Sequence, residues 1–174
     1  GKDDTKPDQI KSLFLNFVKD YTSGMFKKLL PVYSLEAACG KFGESQDIEP
    51  LGWVEVDGLK LSKDMFIIQA TGKSMEPTIP DGAYCIFKAN PVGSRNDKII
   101  LVQHRDITDT DIGGTYTIKK YKSEKVDLAG ETWKHSNITL LPLNKAYQPI
   151  EFKDVSEDFE NEFKVIGEFV KLYN

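Results

Sequence analysis

The chain has 174 residues, 40% of them hydrophobic and 29% charged, enough for one ordinary domain with its own core and an appendage of a few dozen residues. A formal net charge of −4 and a pI near 5.3 exclude the electrostatic footprint of a phosphate-backbone binder, so no direct DNA binding by this chain is expected. No apolar run approaches the roughly 20 residues of a bilayer span and nothing at the start is a signal peptide, which predicts a cytoplasmic protein with no membrane association.

The chain opens on Gly1, the kind of start left by a tag or an excised fragment. From residue 7 to residue 29, Ile10, Leu13, Phe14, Phe17, Val18, Tyr21, Met25, Phe26 and Leu29 recur at spacings of three and four, which predicts one amphipathic helix, interrupted or ended near Ser23-Gly24. Asp8 would place negative charge near its start. Residues 1–30 are therefore expected to form a helical arm, packed on the domain or on a second copy. Thirty residues are too few for a three-helix DNA-binding domain.

Beyond Pro31 the pattern changes to short alternating runs separated by turn signals, so the fold class is mainly β. Strands are expected at 52–56, 65–70, 83–88, 98–104, 115–122, 125–128, 138–142, 149–152 and 163–172. Between them lie Asp57-Gly58, Pro80-Asp81-Gly82, Asn90-Pro91-Val92-Gly93, Gly113-Gly114 and Ala129-Gly130, residues suited to turns. Residues 31–47 are assigned to a connecting segment and 48–174 to the main domain. The acidic stretch Asp154–Glu162 fits a solvated loop or helical turn.

Cys39 and Cys85 are far apart with no CxxC pair, and His104 and His135 show no ligand spacing to either. No metal site, disulfide framework or cofactor is expected. A nucleophilic Cys39 activated by His104 or His135 lacks an orienting third residue, and Cys85 fits a core position on its strand.

Two short segments carry chemistry. Gly72-Lys73-Ser74-Met75-Glu76-Pro77-Thr78-Ile79-Pro80-Asp81-Gly82 offers a serine ahead of a tight turn, and Thr115–Lys122 offers paired lysines on a strand. A serine hydroxyl needs a neighbouring base. A lysine can be that base only when neutral, which requires desolvation in an apolar site. Alternation puts Thr117 and Lys119 on one face and Tyr116, Ile118 and Lys120 on the other, leaving open which face is inward.

The first segment resembles the nucleophile loop of the LexA/UmuD-type self-cleaving proteins, peptidase family S24, and Thr117-Ile118-Lys119 resembles the strand carrying their general base. Further similarity lies in Leu141-Pro142-Leu143-Asn144, Tyr147-Gln148-Pro149-Ile150 and Val165-Ile166-Gly167-Glu168-Phe169-Val170. The resemblance runs from about Leu30 to Asn174 and implies a LexA/signal-peptidase-like catalytic β-domain with Ser74 as nucleophile and Lys119 as base. Backbone N–H groups at Ser74 and Met75 would form the oxyanion hole. The 45 residues from Ser74 to Lys119 exceed the spacing of compact family members, so a longer connection around His104–Gly114 is expected.

Leu30-Pro31-Val32-Tyr33-Ser34-Leu35-Glu36-Ala37-Ala38-Cys39-Gly40 resembles the segment these proteins cut in themselves. It implies Cys39–Gly40 as the scissile bond, with Ala38–Cys39 as the second choice. Small residues suit a recessed nucleophile, and glycine permits a sharp backbone turn. By the same resemblance the substrate is the chain's own N-terminal segment, the activator a RecA–single-stranded-DNA filament in the SOS response to DNA damage, and the protein often a homodimer. The output would be that of a UmuD-like accessory to a DNA polymerase, or of the C-terminal domain of a LexA-like repressor. A soluble signal-peptidase-like enzyme and a non-enzymatic dimerisation or docking module are the alternatives.

Overall fold

A computed structural model of the protein describes residues 15–125, 135–156, 159 and 162–174. Nine strands form one mixed sheet: β1 (Leu29–Val32), β2 (Gly52–Glu55), β3 (Met65–Gln69), β4 (Tyr84–Lys88), β5 (Ile99–Gln103), β6 (Tyr116–Lys125), β7 (His135–Leu141), β8 (Ile150–Ser156) and β9 (Lys164–Leu172). Their order is β2-β1-β3-β4-β9-β5-β6-β7-β8, with β1 and β3 parallel and the other pairs antiparallel. The mainly β expectation is met, and β2 to β9 each fall close to an expected run, whereas β1 lies where the end of the helical arm and the start of the connecting segment were expected. Of the expected run 125–128 only Lys125 is described, at the end of β6.

The closing strand β9 lies between β4 and β5 and ties the two halves of the sheet together. Bulges interrupt both pairings, between Ile86 and Phe87 on β4 and between Leu101 and Val102 on β5. Such bulges bend and twist strands locally. Three apolar clusters result. One gathers Phe66, Ile68, Phe87, Leu101, Ile118 and Ile166 with Met75 and Ile79 from the loop that carries Ser74. A second is built on β1, β2 and β3 through Leu30, Val54 and Ile67. The third joins β5, β6, β7 and β8 through Ile100, Val102, Tyr121, Ile138 and Leu140.

The expected helical arm needs correction. Residues 1–14 lie outside the described residues, but 15–29 hold no helix: they run through bends and turns into β1. The three-and-four spacing of aromatic residues serves a different end, because Tyr21 stacks on Trp53 at 5.5 Å and Phe26 meets it edge-on at 5.1 Å. Phe17 occupies the space above Gly52 that a Cβ would need. The Gly24 carbonyl accepts the N–H groups of Lys27, Lys28 and Leu29 in one tight turn, and Phe26 takes a left-handed φ of +60° that no helix continues through. Tertiary packing on Trp53 outweighs the helical periodicity here.

The connecting segment contains regular structure as well. Leu35–Ala38 form one helical turn, α1, capped by Ser34 Oγ, which accepts the Ala37 N–H at 3.1 Å. A π-turn over Cys39–Gly43 continues it. Because β1 pairs with both β2 and β3, the sheet begins ahead of residue 48.

Candidate active site

The loop that carries Ser74 follows β3 and folds back on itself. Asp81 Oδ1 accepts the Gly72 N–H at 2.9 Å, and Glu76 Oε1 accepts the Asp81 N–H at 3.2 Å. Ile79 N–H bonds to the Met75 carbonyl, while Met75 and Ile79 are buried in the core. The motif residues Pro80-Asp81-Gly82 thus close the loop that holds Ser74. Leu143 and Asn144, after β7, both donate backbone N–H groups to the Ser74 carbonyl, at 3.0 and 2.9 Å, and the Asn144 amide donates to the Lys73 carbonyl at 3.1 Å. The Leu-Pro-Leu-Asn segment is therefore a clamp on the Ser74 loop, a role its sequence did not disclose.

Both faces of β6 are buried at this point, Ile118 on the opposite face being 4% exposed, so the contacts of the two lysines settle the face left open by alternation. Thr117 is fully buried and Lys119 is 4% exposed, whereas Lys120 is half-buried and its amine lies 4.0 Å from Asp97 at the surface. Lys119 Nζ is 2.9 Å from Ser74 Oγ, 2.7 Å from Thr117 Oγ1 and 3.1 Å from the Ile118 carbonyl. Burial pushes the Lys119 amine below the usual lysine range. The Asp109 carboxylate, 3.5 Å away, and then Asp111 pull it partly back up. Desolvation wins, the condition a lysine base requires.

Asp109 was not foreseen. It belongs to the β5–β6 connection, residues 104–115. That connection bridges Asp109 to Gly114 and bonds Gly113 N–H to the Asp109 carbonyl at 2.7 Å. It comes close to the Ser74 loop: a Cβ on Gly72, whose φ is +96°, would meet Asp111 at 2.6 Å, and Asp111 acts on the Tyr147 hydroxyl, helping to raise its pKa. Beside Ser74 a space of about 10 Å³ remains, lined by Ala70, Ile79, Asp109, Ile112 and Ile118 among others. It holds at most about one water. Asp106, Asp109 and Asp111 were the available sequence signal, but nothing in them points to Lys119 without the fold.

Cys39 and Gly40 are absent from that lining. They border a separate open cavity of about 500 Å³ with Glu36, Gln103, Gly114 and Tyr116. Cys39 has helical dihedrals, φ −62° and ψ −41°, is 2% exposed, and joins the core cluster that contains Met75 and Ile118. Burial first, then Glu44 and Glu36, push its thiol up to about 12. The same cause holds Cys85 at about 12 within β4. Neither thiol suits nucleophilic chemistry. His104 Nδ1 accepts the Asp106 N–H at 3.0 Å, and its ring is caged by Phe152, Phe159 and Phe163. The side chain of His135 lies outside the described residues.

A loop serine hydroxyl paired with a buried, desolvated amine on β6 of a β domain defines the class: a Ser–Lys arrangement suited to hydrolysis. The Peptidase S24-like family matches residues 31–170, and the chain belongs to that family. LexA repressors from strains of Clostridium perfringens are similar to it at 26–27% identity over 130 residues, covering 74% of this chain and 51% of each relative. The chain thus spans about half the length of the curated relatives it matches. Among the described residues, no helix is long and apolar enough to cross a membrane.

Proposed function

We propose that this domain is a serine peptidase that cuts its own chain, with Ser74 as nucleophile and Lys119 as general base. The observation that carries the reading is the 2.9 Å contact between Lys119 Nζ and Ser74 Oγ at a buried site. Neutral Lys119 takes the Ser74 proton as Oγ attacks the Cys39 carbonyl carbon. The oxyanion is received by the Ser74 and Met75 N–H groups, which have no other backbone acceptor among the described residues. Collapse breaks the Cys39–Gly40 bond, Lys119 returns its proton to the Gly40 amine, and water then hydrolyses the acyl-enzyme.

The arrangement described above is a resting state. A helical Cys39 carbonyl is flanked by its own backbone, so the segment must unwind and extend before Oγ can reach it, and the β5–β6 connection must yield space at Ser74. The resemblance to LexA/UmuD-type proteins supports a filament of RecA on single-stranded DNA as the factor that favours the docked state, in a DNA-damage response. It also supports a homodimer and an output on a repressor or a polymerase. A docked state populated at about 1% could be accelerated up to about 100-fold, or roughly 2.7 kcal/mol.

Incubating the chain at pH 7 and pH 10 and weighing the products tests the reading: fragments 1–39 and 40–174 are expected, forming faster at the higher pH. Their absence at both, with and without filament, favours the docking module, which the helical Cys39–Gly43 segment would also suit. Gly40→Val is expected to abolish the cut while Ser74 still cleaves a separate peptide spanning residues 30–45. Mass spectrometry of both reactions checks it, and continued cutting after residue 39 would move the scissile bond elsewhere.

A further inference from the structure

The Asp109 carboxylate divides its work between its two oxygens. Oδ1 accepts the N–H groups of Asp111 and Ile112 at 3.0 and 3.2 Å, fastening the group within the β5–β6 connection. Oδ2 accepts the Thr117 hydroxyl at 2.6 Å and stands 3.5 Å from Lys119 Nζ. A threonine hydroxyl has one proton. With that proton committed to Asp109, Thr117 Oγ1 can offer Lys119 only lone pairs.

The consequence for the amine is geometric. Its ammonium form has three protons, and three acceptors surround it: Thr117 Oγ1, the Ile118 carbonyl and Ser74 Oγ. When one proton leaves, the two that remain can stay on Thr117 and Ile118, and the lone pair then faces Ser74. Were Thr117 free to rotate, its proton could instead cap that lone pair and silence the base.

We propose that Asp109 is a positioning residue that acts through Thr117 to aim the Lys119 lone pair at Ser74, and that its charge, held in place by the β5–β6 connection, favours the ammonium form of Lys119 against the burial that neutralises it. One carboxylate thereby serves as aim and as brake. The described charged groups that act on Lys119 are Asp109 and Asp111, both from this connection; the nucleophile loop presents the neutral Ser74, and β6 itself the neutral Thr117. The role as base rests on the Ser–Lys reading above, whereas the electrostatic role does not.

The test uses the intact chain labelled with ¹³C at the lysine ε carbons, with Lys119 assigned by comparison with Lys119→Met and titrated by NMR. Self-cleavage is followed over the same pH range. Removing an opposite charge at this distance moves a lysine by about 1–3 pH units, so Asp109→Asn is expected to lower the Lys119 midpoint by at least about one unit. Asp109→Glu should return it towards the original value. Thr117→Val is expected to cut the high-pH plateau rate about tenfold or more, and Thr117→Ser to restore it. An unmoved midpoint in Asp109→Asn overturns the brake, and a full plateau in Thr117→Val overturns the aim. A lowered NMR midpoint in a chain that never cuts itself upholds the brake and sinks the peptidase reading, so the two failures remain distinguishable.

Discussion

Ser74→Ala is expected to lower the self-cleavage rate by about 10³-fold or more, since losing the nucleophile removes the covalent route and leaves only the residual contribution of the surrounding donors. Both the alkaline reaction and any filament-driven reaction should vanish together, as read from the appearance of fragment 40–174 over time. The substitution also touches stability. Ser74 is buried and its Oγ is one of three acceptors for the Lys119 amine, so removing it costs about 1–2 kcal/mol while that amine is charged. Thermal melts alongside the kinetics separate this modest loss from unfolding. Fragments forming at the original rate would remove Ser74 from the mechanism.

Lys119→Ala should be as severe, and Lys120→Ala nearly silent, because the second lysine faces Asp97 at the surface. The pH dependence follows from the direction of the Lys119 shift. With the folded-state value below the ordinary one near 10.5, the rate should rise as pH increases through the folded value and then level off. Stability carries the same sign. Below the folded value both states hold the proton, and the full penalty of burying an ammonium applies. Between the folded value and about 10.5 the unfolded chain binds more protons, so stability increases with pH until the penalty is gone. Lys119→Met, of similar volume and uncharged, should therefore melt higher at pH 7 and lose this rise. Urea titrations of both proteins at pH 7 and 10 decide it; identical slopes with pH would show that Lys119 is not desolvated in solution.

The strands from β2 onward were legible because alternating apolar residues bracketed by turn residues have few other meanings, β1 was not, and Ser74 and Lys119 were singled out by resemblance in two segments that only the fold brings together. What escaped has identifiable causes. The 15–29 region carries a helical spacing, yet Trp53 on β2 gives its aromatic residues a partner that no local pattern announces. Asp109 lies in a polar connection where any acidic residue would look solvated, and its meaning depends on a 2.6 Å contact with Thr117, eight residues downstream. The clamp from Leu143 and Asn144 uses backbone N–H groups, which every residue except proline possesses and no composition can single out.

The one-turn helix and π-turn at 35–43 give the chain a built-in delay. Ala38, Cys39, Glu44 and Gln46 N–H groups are all tied to backbone carbonyls of this segment or its cap, so they exchange with deuterium only when it melts. Under the proposed self-cleavage, cutting after Cys39 would wait on that same melting. At a pH where Lys119 is already neutral, deuterium uptake by these four amides and the appearance of fragment 40–174 should share one temperature dependence. The lifetime of the uncut protein would then be set by the thermodynamics of nine residues and not by bond chemistry. Warming, a Gly at Ala37 or loss of the Ser34 cap would each shorten that lifetime without touching Ser74.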